Sequence, residues 1–348
     1  MKKRILVAPL NWGLGHATRC IPIIKALLDC GFEPILASNG VALLLLQKEF
    51  PQLISIELPF YNVTYTRSGE YFKLKLLKNS PKLLRAINNE KKATKVIIET
   101  YNISAIISDN RLGVCSNKIP SVIITHQLNV LSGNTTWIST KIHQKFISKF
   151  DECWIPDSEG DINLSGKLGH TDGFDMPTKY LGPLSRFSKF SLPIKNDLLV
   201  LLSGPEPQRA LLEEKLLLEL KKYKRKVVFI RGMMQDEQTY EVKGNMIIYN
   251  FMTSEELEKT INESALIISR SGYTTIMDLA KLEKKAFFIP TPGQFEQEYL
   301  AKRLTELGLV PSCTQDEFRI EKLKEVDDFK GLELIEANLN FKELFSLF

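Results

Sequence analysis

Apolar residues in this chain fall into short unbroken runs, and helical-period stretches separate them. Ile5-Leu6-Val7-Ala8 is the first run, the pattern of a strand buried on both faces. A glycine turn follows. Ile21, Ile24, Leu27 and Leu28 then share one side of a predicted helix that stops at Gly31. Glu33 to Ser38 predicts a second strand, Val41 to Glu49 a helix and Ile54 to Leu58 a third strand. Ser80-Pro81 predicts a helix start, with Ser as N-cap and Pro in the first turn, in a region read as a helical pair. Ala105 to Ser108, Ser121 to Thr125 and Glu152 to Ile155 predict three more strands, the last closing this half.

Gly182-Pro183-Leu184-Ser185-Arg186 and Lys195-Asn196-Asp197 mark a passage, after which the rhythm restarts. Strands are predicted at Leu198 to Leu202, Lys226 to Arg231, Met246 to Tyr249, Ala265 to Ile268 and Ala286 to Pro290. Helices are predicted at Gln208 to Lys221, from Ser254, at Tyr273 to Leu282 and at Phe295 to Leu307. Strand and helix in alternation, twice over, predict an α/β protein of two Rossmann-like doubly wound domains facing a cleft. The domains are 1–190 and 191–348, with the last helix expected to pack back on the first.

Composition narrows the function classes. A net charge of +5 over 348 residues permits an anionic partner but lacks the strongly basic balance of a nucleic-acid binder. Five cysteines, at 20, 30, 115, 153 and 313, form no CxxC pair, so neither a zinc site nor a disulfide framework is predicted and a cytoplasmic location is expected. No run approaches the roughly 20 apolar residues of a membrane span. Two features break the α/β rhythm. Phe60 to Phe72 holds five aromatic residues among polar ones, a long loop of the kind that meets a ligand or partner. Lys73 to Lys95 interleaves lysines with leucines, which suits either a solvated helix packed on the sheet or peripheral contact with an anionic membrane, here on its inner face.

Candidate chemistry lies at predicted strand ends. Gly13-Leu14-Gly15-His16-Ala17-Thr18-Arg19 follows the first strand and opens the first helix. Gly13 and Gly15 let the backbone turn sharply beside a ligand, and the helix start favours an anion. The third glycine of the dinucleotide fingerprint is missing, and Asn39-Gly40 stands where a ribose-binding acid is expected, so NAD is not predicted. His16 and Arg19 share a face of the first turn. Asp109 and His126 end two other strands, so three titratable residues converge where open α/β sheets bind ligands. The plainer readings are a helix cap for Asp109 and a hydrogen-bonded loop residue for His126. In the second half, Ser269 to Thr275 is a strand-to-helix turn rich in hydroxyls, suited to a phosphate. Asp278, about two turns on, is placed to accept bonds from ribose hydroxyls.

With these motifs the chain resembles a GT-B glycosyltransferase, of the group that holds the peptidoglycan lipid-intermediate N-acetylglucosaminyltransferase and monogalactosyldiacylglycerol synthase. The resemblance rests on Gly13 to His16 and on Ser269 to Ala301. It implies that Ser271, Gly272 and Thr274 bind the donor diphosphate, Asp278 the ribose, and Gln297 with Glu298 the donor sugar. The acid at Glu298 replaces a second glutamine. It also implies a diphosphate contact from Arg186, a base-binding backbone around Phe251, and a partly kept glycine loop at Ser203 and Gly204.

The activity so implied is inverting, metal-independent transfer of N-acetylglucosamine or a hexose from a UDP-sugar to a glycan or lipid acceptor, without a cofactor. His16 is the expected base, with Asp109 and His126 as alternates. A nucleotide-sugar hydrolase like that of pseudaminic acid synthesis shares the Gly-x-Gly-His-x-x-Arg loop, and a non-catalytic nucleotide-sugar binder is the third reading.

Overall fold

The computed structural model of the chain describes residues 2–60, 72–131, 136–160, 163–171, 173–233, 235–332 and 339–348, with the backbone alone for 72–81. Two compact units divide between Ser185 and Arg186, and the C-terminal segment returns to the first unit. The aromatic stretch expected between Phe60 and Phe72 lies outside the described residues except at its two ends.

The first unit comprises β1 (Arg4–Pro9), α1 (Gly15–Asp29), β2 (Glu33–Ser38), α2 (Gly40–Glu49), β3 (Ser55–Glu57), α3 (Phe72–Tyr101), β4 (Ile103–Asp109), β5 (Ser121–Ile124), α4 (Thr136–Ile147), β6 (Glu152–Ile155) and β7 (Thr178–Tyr180). The seven strands form one sheet in the order β3-β2-β1-β4-β5-β6-β7. Every pairing in it is parallel. Ile5, Leu6, Val7, Ile106, Ile107, Val122 and Ile123 have no exposed surface, which is why these strands read as unbroken apolar runs.

Two expectations fail here. Ser80-Pro81 does not start a helix; it lies inside the single 30-residue α3. Ile87, Glu90, Thr94 and Ile97, all buried, fall on one face of that helix, and such packing outweighs a local start signal. Nor does Glu152–Ile155 close the sheet. β7 adds beyond it, pairing Cys153 with Thr178 and Ile155 with Tyr180.

The second unit holds β8 (Asn196–Leu201), α5 (Gln208–Glu219), β9 (Val227–Ile230), β10 (Tyr240–Lys243), β11 (Met246–Tyr249), α6 (Ser254–Asn262), β12 (Ser264–Ser269), α7 (Tyr273–Lys281), β13 (Lys285–Phe288) and α8 (Phe295–Glu306). Its sheet runs β10-β11-β9-β8-β12-β13. β10 alone is antiparallel, hairpinned to β11 at the edge. Leu198, Val200, Phe229, Ile268 and Phe287 fill the core with Leu212 and Leu216 of α5.

The chain ends in α9 (Phe341–Leu344) and one further turn. Phe345 packs edge-on to Phe32 at 5.9 Å and against Trp154 at 6.2 Å. Lys3 Nζ donates to Phe348 O at 2.9 Å. This aromatic clasp ties the end of the chain to β6 and to the turn after α1.

Candidate active site

Beyond β1 the chain turns, with Gly13 at φ +75, a conformation that a side chain would strain. No side chain caps α1, and its first turn carries no acid, so its positive end is left for a ligand or an anion. His16 and Arg19 lie in that turn. Asp109 ends β4 next to β1, in register with Pro9. His126 follows β5, which pairs with β4. Three adjacent strands thus deliver His16, Asp109 and His126 to one edge, and the structure brings all three together.

Arg19 is the hub of that cluster, a role the sequence reading did not give it. Its Nε donates to Asp109 Oδ2 at 2.5 Å and its Nη2 to Asp109 Oδ1. Its Nη1 donates to His126 Nδ1 at 3.0 Å. Arg19 and Asp109 are fully buried, and the His16 side chain is 13 % exposed. Breaking such a buried pair from one side costs about 3–5 kcal/mol.

His16 Nδ1 lies 2.8 Å from Asp109 Oδ1 and 2.9 Å from Arg19 Nη2. A carboxylate only accepts, so the Asp109 contact is a hydrogen bond when Nδ1 carries the proton. The lone pair of the neutral ring is then on Nε2. Burial lowers the His16 pKa below the ordinary histidine value; Asp109 opposes the shift and the Arg19 charge adds to it. Neutral imidazole is therefore the form present at physiological pH. Burial would raise the Asp109 pKa, but Arg19 and then His16 outweigh it and hold the carboxyl well below the usual range. Cys20 Sγ sits 3.7 Å from Asp109 Oδ2, and burial next to that carboxylate keeps it a thiol.

A second buried pair steadies the same edge. Arg111 Nε donates to Glu90 Oε1 at 2.7 Å, and Arg111 Nη2 reaches Asn39 Oδ1 at 3.1 Å and Pro59 O at 2.9 Å. Helix α3 is thereby locked to the ends of β2 and β4.

In the second unit the expected phosphate turn, Ser269 to Thr275, joins β12 to α7. Gly272 is the N-cap, no side chain caps α7, and the space where a Gly272 side chain would stand is open. Ser271 Oγ donates inward to Gln297 O at 2.8 Å. It brackets α7 to α8 and spends the hydroxyl within the protein. Asp278 is half-buried in the second turn of α7.

Arg270, also passed over in the sequence, is buried behind this turn. Its Nη1 donates to Ile289 O and Pro290 O, and its Nη2 to Gln208 O and Gln315 Oε1, at 2.8–3.1 Å. Burial lowers its pKa to about 10. All four acceptors are neutral, so its positive charge adds to that of the α7 N-terminus. Only its place within Ser-Arg-Ser-Gly could have pointed to it.

The remaining residues are dispersed around this turn. The Gln297 side chain accepts from Thr291 N through Oε1 at 2.9 Å, and exposed Glu298 accepts from Gly293 N at 2.8 Å. Both hold the Pro290–Gln294 loop. Arg186 Nη1 donates to Ser254 Oγ at 2.7 Å, beside the start of α6, where Thr253 and Glu256 form a capping box. Ser203 and Gly204 follow β8, with Gly204 at φ +104. Phe251 N–H donates to Asn250 Oδ1 and Phe251 O accepts from Gln238, so its own backbone groups are engaged within the protein.

Residues 207–329 match the glycosyltransferase family 28 C-terminal domain. The chain is 27% identical over 337 residues to the UDP-N-acetylglucosamine--N-acetylmuramyl-(pentapeptide) pyrophosphoryl-undecaprenol N-acetylglucosamine transferase of Glaesserella parasuis, covering 93% of this chain and 88% of that protein. It is 26% identical to an uncharacterized glycosyltransferase of Methanosarcina acetivorans, over 93% of this chain and 89% of the relative. Among solved structures, the glycosyltransferase SnogD of Streptomyces nogalater superposes with TM-score 0.64 at 12% identity, over 94% of this chain and 91% of that one. MurG of Acinetobacter baumannii superposes with TM-score 0.54 at 14% identity, over 94% and 90%. These likenesses favour transfer over the hydrolase and binder readings. The protein is a glycosyltransferase of the GT-B fold, resembling the group of the peptidoglycan lipid-intermediate N-acetylglucosaminyltransferases.

Proposed function

We propose that this transferase moves N-acetylglucosamine or a hexose from a UDP-sugar to a glycan or lipid acceptor, with inversion and without a metal. It would work in the cytoplasm, peripheral on the inner face of an anionic membrane. The acceptor oxygen attacks the anomeric carbon, the bond from that carbon to the diphosphate breaks, and UDP leaves with the electron pair. His16 takes the acceptor proton at Nε2. The observation that carries this reading is the 2.8 Å contact between His16 Nδ1 and Asp109 Oδ1, which aims the imidazole and stabilises it once charged.

An inverting displacement needs a base and no protein nucleophile. The Asp109 carboxylate is buried and spent on Arg19 and His16, so it supports His16 and does not attack carbon. The donor is read onto the second unit. Its diphosphate would meet the backbone of Ser271 and Gly272, Thr274 and Arg186, with the ribose on Asp278, the base along the backbone near Phe251, and the sugar near Gln297 and Glu298. Ser203 and Gly204 would flank the phosphates. The charge that grows on the leaving diphosphate is met by the α7 N-terminus and Arg270, an effect worth on the order of 3 kcal/mol per well-placed donor. In this scheme such fixed dipoles and guanidinium groups serve in place of a metal.

The test is UDP release from UDP-N-acetylglucosamine, UDP-glucose and UDP-galactose, with and without polyprenyl-linked and diacylglycerol acceptors. The proposal expects release that depends on acceptor, persists in EDTA and yields a product of inverted anomeric configuration. Equal release without acceptor would mean hydrolysis.

A further inference from the structure

A groove of about 500 Å3 opens on the first unit, between the last turns of α3, the loop before β5 and the turn before β6. It lies at the edge where the strands begin. Ser116 N donates to Ser121 Oγ, and Ser121 N to Asp151 Oδ2, which anchors the groove to the first residue of β5. Asp109 and His126 stand at the opposite edge, so the groove is separate from the cluster around Arg19.

Lys91, Lys95, Lys118 and Lys149 line it. Among the described residues none of the four ammonium groups forms an ion pair. Of the nearby acids, Glu90 is buried in its pair with Arg111, and Asp151 accepts from Ser121 N. Glu99 is the one carboxylate on the wall. Partial burial and then the neighbouring Lys91 charge hold the Lys149 ammonium below the ordinary lysine range. Its Nζ lies 4.4 Å from the Phe146 ring centroid, which fixes it against an apolar surface. Four like charges around one groove repel each other, and a bound anion would relieve that repulsion.

We propose that this groove binds a compact phosphate-type anion, either a free phosphate or diphosphate or the phosphate of a lipid headgroup. The Lys91 and Lys149 ammonium groups are its central ligands, and Lys95 and Lys118 close its rim. Lysine suits this role as a point charge that does not require a planar partner. The groove volume exceeds a phosphate and admits the atoms attached to it.

Cys115 lies in the groove wall and is half-buried, so its alkylation reports occupancy at this place alone. The full chain is treated with N-ethylmaleimide at constant ionic strength, and Cys115 labelling is followed by peptide mass spectrometry. Half-buried Cys30 and Cys313 serve as controls. The additions are inorganic phosphate, pyrophosphate, phosphatidylglycerol vesicles and phosphatidylcholine vesicles. The proposal expects Cys115 alone to be protected, by roughly tenfold once the ligand exceeds its dissociation constant about ten times. Protection should be lost in Lys91→Ala/Lys149→Ala and kept in Lys91→Arg. Protection by soluble phosphate identifies a free anion, and protection by phosphatidylglycerol alone identifies a headgroup. No protection, equal protection by phosphatidylcholine, or protection that survives in the double variant would overturn the assignment.

Discussion

Arg19 Nη1 donates to His126 Nδ1 at 3.0 Å. An arginine nitrogen cannot accept a hydrogen bond. The Nδ1 lone pair of His126 is therefore used, and the proton of its neutral ring stands on Nε2. His126 is buried, whereas His16 Nδ1 faces both the Asp109 carboxylate and Arg19 Nη2, and its lone pair stands on Nε2 in the tautomer that donates to Asp109. Asp109 is too acidic to take a proton. In the proposed scheme His16 is therefore the base, since its side chain is partly exposed while His126 is buried and Asp109 is held ionised.

If His16 is the base, kcat/KM should be flat near neutrality and fall as pH drops through a pKa below 6.5, because burial lowers that pKa. Arg19 adds to the lowering. Arg19→Met should move the acid limb to higher pH, while Arg19→Lys, which keeps the charge, should leave the limb nearer its parent position. A pH–rate profile of the three proteins checks this. A role confined to packing would slow or unfold Arg19→Met without moving the limb.

His143 affects stability through protonation. Burial lowers its pKa from 6.5 to about 4, so between these values the folded protein holds it neutral while the unfolded chain protonates it. The linked stability is fully present above about pH 6.5 and is lost as pH falls from there through about 4, up to roughly 3 kcal/mol. Urea unfolding at pH 7.5 and pH 5 should show this loss in the parent and a smaller one in His143→Gln. Equal losses in the two proteins would place the acid sensitivity elsewhere.

Asp278 tests the donor side. It lies in the second turn of α7, six residues beyond the N-cap Gly272. Asp278→Ala should weaken UDP by about 1–3 kcal/mol, the cost of charged hydrogen bonds to ribose hydroxyls. Calorimetric titration reads it directly, and unchanged affinity would remove Asp278 from the ribose.

Much of this was legible in the sequence. β1, β5 and β6 are buried runs whose pattern survives without any context. The convergence of His16, Asp109 and His126 followed from the rule that ligands lie beyond strand carboxyl ends. What escaped was short or depended on distance. β7 is three half-buried residues with a lysine at its centre, below the reach of periodicity. α4 exposes Trp137, Ile138 and Ile142, which blurs its apolar face, and β10 is an exposed edge strand. Arg19 shares a helix face with His16, but its partners are about 90 residues or more away in sequence. The inward bond of Ser271 to Gln297 likewise depends on how α7 and α8 pack.

The central claim is that His16 acts on the acceptor and takes no part in holding the donor. It is tested most directly by measuring steady-state transfer and UDP affinity on His16→Ala, with Arg186→Ala and the parent beside it. His16→Ala should slow transfer by roughly 100-fold or more while UDP affinity stays unchanged. Arg186→Ala should weaken UDP as well as slow the reaction. Normal turnover by His16→Ala with a true acceptor, or a loss of UDP affinity in that variant, would contradict the account.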